Sequence, residues 1–378
     1  MALLLQGRVL TPQQELADGW VLVDNGIVAE VGQGAPPACR ERAGGPDHIL
    51  TPGFIDLQVN GFAGHDVAQG AEAVAEISRH LPRTGVTAFL PTLITAPLDE
   101  MIAACEAARR APTRGARVLG VHLEGPFLNP ARAGAHDPSL MLIPSRTAVR
   151  RVAAARPRLV TLAPELPGAG EAIRELTGHG ALVAAGHSAA SYEEGKAGIA
   201  AGVRFATHLF NAMTAWQHRE PGLVGAVLTD PVVTAGLIAD GVHVHPAGLE
   251  IAIRLRGPER IALTTDAIAL AGAPAGCQVL NGREVRSDGR AARLRDGTLA
   301  GGIETMDRLV RLVAGLPGVG LRRAVEMATL SPARALGEVD LGRIATGLPA
   351  DLALLGPDLQ IELTLVGGEV VFRKESHR

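Results

Sequence analysis

Between residues 51 and 344 the chain alternates between two textures. Short apolar runs stand at FIDLQVNG (54–61), VTAFLPTL (86–93), RVLGVHLE (117–124), LVTLAPE (159–165), ALVAAGH (181–187), VRFATH (203–208), VTAGLIAD (233–240) and RIALTTD (260–266). Stretches rich in alanine, glutamate and arginine lie between them, such as AEAVAEISRH, LDEMIAACEAARR, RTAVRRVAAA and SYEEGKAGIAAG. Buried parallel strands read as near-continuous apolar runs. Strand–helix alternation through about eight units predicts an α/β fold, a (β/α)8 barrel of the TIM type. An open doubly wound sheet is the rival, but no GxGxxG turn follows the first strand.

Several of these runs close on an ionisable residue and a turn. Glu124 precedes Gly125-Pro126, His187 ends AAGH, His208 ends FATH and Asp266 ends LTTD. A barrel presents its chemistry at such C-terminal strand tips. One charged tip is an ordinary strand end, whereas a series ending in Glu, His, His and Asp points to a site.

The two ends of the chain have another texture. LLLQGRVL, WVLVDN and IVAEVG are separated by Asp-Gly and Asn-Gly, and DLALLGPDLQIELTLVGGEVVFRK resumes the pattern near the C-terminus. These are hairpin signals. They predict one small β domain built from residues 1–50 and 345–378 around a barrel of 51–344. Residues 277–299 also read as β-hairpins, a loop insertion late in the barrel.

Composition narrows the function. The chain has 378 residues, 47% of them apolar and 20% charged, as expected of a globular protein with one large and one small domain. A net charge of −3 and 3% aromatic residues offer neither the electrostatics nor the stacking platforms of a nucleic-acid binder. Cys39, Cys105 and Cys277 form no CxxC pair. They fit a reducing cytoplasm rather than a disulfide framework or a thiolate metal site. The opening MALLLQGRVL is too short for a signal h-region, and no apolar stretch approaches a membrane span.

Glu124, His187 and His208 together are two imidazoles and a carboxylate, the donor set of a catalytic zinc site with an open position. Asp266 is placed to take a proton from water and return it to a leaving amine; its ordinary alternative is a helix N-cap. His136, in NPARAGAHDP, is either a polariser of a carbonyl or an exposed loop histidine. His243 and His245 form an HxH that can bind metal or an anion. Arg219, in QHREPG, is either a bidentate phosphate ligand or a solvated surface arginine.

Taken in order, PGFIDLQVNGFAG, HLEGPFLNPARAGAHDP, GHS, THLFNAM, REPG, ADGVHV, TTDA and TLAGG resemble the amidohydrolase superfamily. Within it they are similar to the N-acetylglucosamine-6-phosphate deacetylase family, over nearly the whole chain. The resemblance implies one divalent metal on Glu124, His187 and His208, zinc first, with iron(II) or manganese(II) as substitutes. Asp266 would be the proton acceptor and donor, and His136, beside Ala135, would approach the acetyl carbonyl. Asn211 and Ala212 would contact the sugar phosphate. Asp240 and His243 would line the pocket, and Leu299, Ala300 and Gly301 would close it opposite. Arg219 would reach the phosphate from a neighbouring subunit, which implies a homodimer. The chain ends would form a small β-sandwich.

One feature departs from the superfamily. Most members carry HxH on the first barrel strand for a second metal, and here Gln58 and Asn60 stand at those positions. Neutral amides are poor ligands beside imidazole, so a single tight metal is expected. The implied substrate is an N-acetylated amino sugar 6-phosphate. The nearest alternatives are the galactosamine epimer or an N-acyl-amino-acid substrate. A catalytically dead barrel and a sugar-phosphate binding module are the non-enzymatic alternatives, and the intact ligand set speaks against both.

Overall fold

The computed structural model describes residues 2–11, 14–280 and 282–375. The chain opens with β1 (Leu3–Leu10), β2 (Glu15–Asp24), β3 (Ile27–Gln33) and β4 (Glu41–Pro52). The barrel strands follow: β5 (Phe54–Val59), β6 (Val86–Ile94), β7 (His122–Glu124), β8 (Leu159–Leu162), β9 (Leu182–Ala185), β10 (Phe205–Ala206), β11 (Thr234–Leu237) and β12 (Ile261–Leu263). They pair in parallel, each with the next in sequence. Helices cover the outside, among them α1 (Ala71–His80), α2 (Leu98–Arg109), α3 (Arg146–Ala154), α4 (Ala169–Gly178) and α5 (Tyr192–Ala201). Their ends are set locally. Ser145 caps α3 by accepting the Ala148 N–H, and Ser191 with Glu194 forms a capping box on α5.

Closure of the barrel is unlike the rest of the ladder. The seam between β5 and β12 holds a single backbone bridge, Val59 to Ala267, with Asn60 and Gly61 donating to the Ala267 carbonyl at 2.7 and 2.9 Å. Below it the Asp56 carboxylate accepts the hydroxyls of Thr264 and Thr265 at 2.9 and 2.5 Å. A buried side chain thus joins first strand to last.

Layers stack inside the barrel along its axis. Ile55, Leu57, Leu90, Leu159 and Phe205 form an apolar plug, with Ala333 and Leu336 packed against it. A polar chain runs through the next layer: Thr92 to His122 at 3.4 Å, His122 to Thr161 at 2.7 Å, and Thr161 to Thr207 at 2.6 Å. Burial pushes the His122 imidazole down to about 4, so it is neutral there. Glu124 lies two residues beyond His122 and therefore on the same face of β7. The run predicted as one strand, 117–124, is broken. Arg117–Val118 pairs with Ala88–Phe89, and the strand resumes at His122. Gly120 makes the break: its φ is +132°, and a Cβ there would sit 2.5 Å from the Arg158 Cβ.

The predicted insertion is β13 (Cys277–Leu280), β14 (Arg283–Ser287) and β15 (Ala292–Leu294), an antiparallel set; Asn281 lies outside the described residues. The chain closes with β16 (Leu352–Leu355), β17 (Ile361–Val366) and β18 (Glu369–Arg373). These join the opening strands in one sheet of order β18-β17-β16-β4-β1-β2-β3. The expected small β-sandwich from both chain ends is built as one hydrogen-bonded sheet. It curls, because Val28 from one side and Leu363 and Leu365 from the other meet in one apolar cluster. No described helix is long and apolar enough to cross a membrane.

Candidate active site

Glu124, His187 and His208 meet at the mouth of the barrel, all buried. His208 Nε2 lies 2.9 Å from Glu124 Oε1, His187 Nε2 3.3 Å from the same oxygen, and the two Nε2 atoms are 3.1 Å apart. Tetrahedral ligands at zinc–nitrogen distances stand about 3.4 Å from one another. Hydrogen bonds decide which ring nitrogens are bare. His187 Nδ1 donates to the Arg132 carbonyl at 2.9 Å, so its Nε2 carries only a lone pair. The His187 lone pair, the His208 Nε2 and a carboxylate oxygen at this spacing suit a shared cation, and the donor set fits one divalent metal.

His136 is different. Its Nδ1 accepts the backbone N–H of Thr95 at 3.2 Å, which puts the ring proton on Nε2. That Nε2 stands 3.5 Å from Glu124 Oε2, and the ring lies 4.5 Å from that of His187. A protonated Nε2 donates and does not ligate. His136 is therefore buried beside the donor cluster as a hydrogen-bond donor, not an exposed loop residue.

Asp266 lines the same cavity and caps no helix. Burial and the charge of Glu124 push its carboxyl up to about 7, against the pull of His208, His243 and Asn60. Asn60 Nδ2 donates to its Oδ1 at 2.7 Å, and Gln58 Nε2 donates to Glu124 Oε1 at 3.0 Å. The two amides thus serve as donors to the carboxylates. Burial raises Glu124, but the three imidazoles around it, His136, His187 and His208, outweigh it and hold the carboxyl well below its usual range. Burial with the charge of His136 pushes His187 down to about 4. Burial lowers His208, but its bond to Glu124 and that carboxylate's charge raise it on balance.

The cavity is about 520 Å³, within the range of small-molecule sites. Ala135, Asn211, Ala212, His243, Leu299 and Ala300 line it with Gly301. Gly301 has φ +96°, and a Cβ there would press on Ile268 Cγ2 and the Asp266 carbonyl. The inserted hairpins supply one wall through Leu280 and Arg293, and Arg283 reaches the Ala135 and His136 carbonyls at 3.4 Å.

Two expected residues are placed otherwise. Asp240 does not line the cavity; its carboxylate is spent on the ring Nδ1 of His243 at 2.7 Å and on two backbone N–H groups. It orients His243, which does line the cavity. Arg219 is exposed on the loop before α6 (Gly222–Leu228) and lines no part of this chain's cavity. The HxH is not a metal pair either, because His245 accepts the Ala247 N–H as the cap of α7 (Pro246–Arg256). Arg132 and Arg293, two cavity cations, were not singled out by the sequence, nor were Asp56 and Thr95. Asp56, a lone acid inside the apolar run FID, was the one available signal. Glu165 closes the apolar run LVTLAPE, three residues beyond β8, but bonds Asn129 and Ser188 and stays out of the cavity.

The amidohydrolase family model matches residues 49–371. The chain belongs to that family. It is 39% identical over 372 residues to the N-acetylgalactosamine-6-phosphate deacetylase of Escherichia coli O157:H7, covering 96% of this chain and 97% of that one. It is 39% identical over 348 residues to the N-acetylglucosamine-6-phosphate deacetylase of Bos taurus, covering 87% and 85%. Among solved structures it is similar to the N-acetyl-D-glucosamine-6-phosphate deacetylase of Mycobacterium smegmatis, an aspartate-to-alanine mutant in complex with N-acetyl-D-glucosamine-6-phosphate. There the TM-score is 0.93 at 36% identity, over 98% of this chain and 99% of that one.

Proposed function

We propose that this amidohydrolase removes the acetyl group of N-acetylglucosamine 6-phosphate, giving glucosamine 6-phosphate and acetate. The observation that carries the reading is the meeting of Glu124 Oε1 with two imidazole Nε2 atoms in a cavity shared with Asp266. The deacetylases to which the chain is similar support the substrate class. In this reading Glu124, His187 and His208 hold one divalent ion, zinc before iron(II) or manganese(II). When bound, such an ion polarises a carbonyl and acidifies water.

This chain's own groups do the rest. Asp266 takes the proton of the attacking water; its raised carboxyl suits a group that must both accept and return a proton near neutrality. The Nε2–H of His136 donates to the oxyanion that forms on the acetyl carbonyl. The C–N bond then breaks as Asp266 protonates the departing amine. Asn211 and Ala212 receive the sugar phosphate, and Leu299, Ala300 and Gly301 close the opposite wall. Arg219 contacts the phosphate in a neighbouring subunit's cavity, which makes the working unit a homodimer; its exposure outside this chain's own cavity supports that assignment. The setting is the cytoplasm, in keeping with three free thiols.

Acetate release from a panel of N-acetylated hexosamine 6-phosphates, with and without chelator, tests the reading. Turnover is expected with the gluco epimer, lost on chelation and restored by zinc. The galacto epimer, on which the Escherichia coli relative's name says that protein acts, is the comparison arm. Release from neither epimer would overturn the reading.

A further inference from the structure

A second cluster of metal-ligating side chains stands apart from the mouth. His65, Glu76 and His80 bring one donor atom each to within 4.8 Å of one another. None of the three lines the catalytic cavity. The fold makes the cluster from two neighbouring pieces. Glu76 and His80 are four residues apart on α1 and so share one face of that helix. His65 comes from the short hairpin that precedes it, in which Gly61–Phe62 pairs with His65–Asp66. The two imidazoles lie nearly parallel, 14° between planes and 6.3 Å between centroids.

His80 Nδ1 supplies an independent observation. It is sealed from solvent and has no hydrogen-bond partner among the described residues. A buried polar atom left unpaired is costly, and a bound ion would satisfy it. Burial first, then the charge of Arg83, lowers the His80 pKa, so the ring favours the neutral form that ligates. Arg79 pairs with Glu76 on the solvent side and competes for the carboxylate.

We infer that His65, Glu76 and His80 form a second, non-catalytic site for a borderline divalent transition ion, of the zinc–nickel class. Two imidazoles and one carboxylate suit such ions better than calcium or magnesium. A bound ion ties the hairpin to α1. That hairpin begins one residue after Asn60, which holds Asp266, so the ion acts as a staple on a segment leading into the mouth.

The test uses protein already loaded with one equivalent of zinc and titrated with nickel by calorimetry, with melting temperature followed in parallel. One further equivalent is expected, bound at micromolar concentrations, with Tm rising as nickel exceeds its Kd. His65→Gln and His80→Gln each weaken that equivalent at least tenfold and abolish the Tm rise, while acetate release is unchanged. Absence of a further equivalent up to millimolar nickel overturns the inference. So does undiminished binding in both variants, which assigns the ion elsewhere. Because the inference concerns binding alone, its calorimetric and Tm readouts stand whether or not the deacetylase reading holds.

Discussion

Asn60 Nδ2 lies 2.7 Å from Asp266 Oδ1, across the seam where the first barrel strand meets the last. The amide donates to the ionised carboxylate and lowers its pKa, against the larger effects of burial and Glu124. Asn60→Ala is therefore expected to raise the Asp266 pKa and move the acid limb of the kcat/KM–pH profile to higher pH. Asp266→Asn keeps substrate binding and loses about 10²–10⁴ in kcat. Steady-state kinetics across pH checks both. An unmoved acid limb in Asn60→Ala removes Asp266 as the titrating base.

His136 and His187 lie side by side at Glu124, their ring planes tilted by 56°, and carry their ring protons on opposite nitrogens. His187→Ala is expected to lose the tightly held metal. His136→Ala keeps the metal and loses about 10²–10³ in kcat, the scale of one oxyanion donor. Metal analysis beside kinetics separates them. Metal loss in His136→Ala would make it a ligand.

Removing the staple with His65→Gln/His80→Gln isolates the mouth. In that background one metal equivalent per chain is expected, because Gln58 and Asn60 are donors to carboxylates. Two tightly held equivalents would make these amides ligands.

Asp56 gives a stability prediction with a definite sign. Burial pushes its carboxyl up to about 6, although Thr265, Gln58 and Thr264 donate to it. The folded chain thus binds a proton between about pH 4 and 6 that the unfolded chain has released. Its contribution to stability is greatest at low pH and falls as pH rises through 6. Denaturant midpoints at pH 5 and pH 8 should show that fall in the wild type and a smaller one in Asp56→Asn. Asp56→Ala strands the Thr264 and Thr265 hydroxyls and should cost about 3 kcal/mol or more.

Arg219→Ala should raise KM for the 6-phosphorylated sugar by at least tenfold and change little for the unphosphorylated one. Equal effects on the two substrates would separate Arg219 from the phosphate.

What could be read from the chain was set by local pattern. Apolar runs spaced by helices gave the barrel, and runs ending in Glu124, His187, His208 and Asp266 gave the mouth, because strand periodicity and strand ends are local properties. Contacts between distant segments were not legible. Nothing near Asp56 says that Thr264 and Thr265 will bond it, and nothing near His136 says that Thr95 will fix its tautomer. The same holds for Asp240: it stands in ADGVH, and only the folded chain shows its carboxylate bonded to the His243 ring behind the cavity lining. The insertion was visible as hairpins, but its place as a cavity wall depends on Leu280 and Arg293 returning to the mouth.

His187, His208 and Asp266 have φ values of 48°, 31° and 49°, and Ala212 has 51°. Side-chain-bearing residues rarely adopt such angles, at roughly 1–3 kcal/mol each. The closed ring of strands beneath them is what makes the cost bearable, so the rim is rigid before anything arrives. An incoming ion or sugar then spends little of its affinity on ordering protein. Selection for a more stable chain would relax these angles first, and would do so at the expense of the constellation they aim.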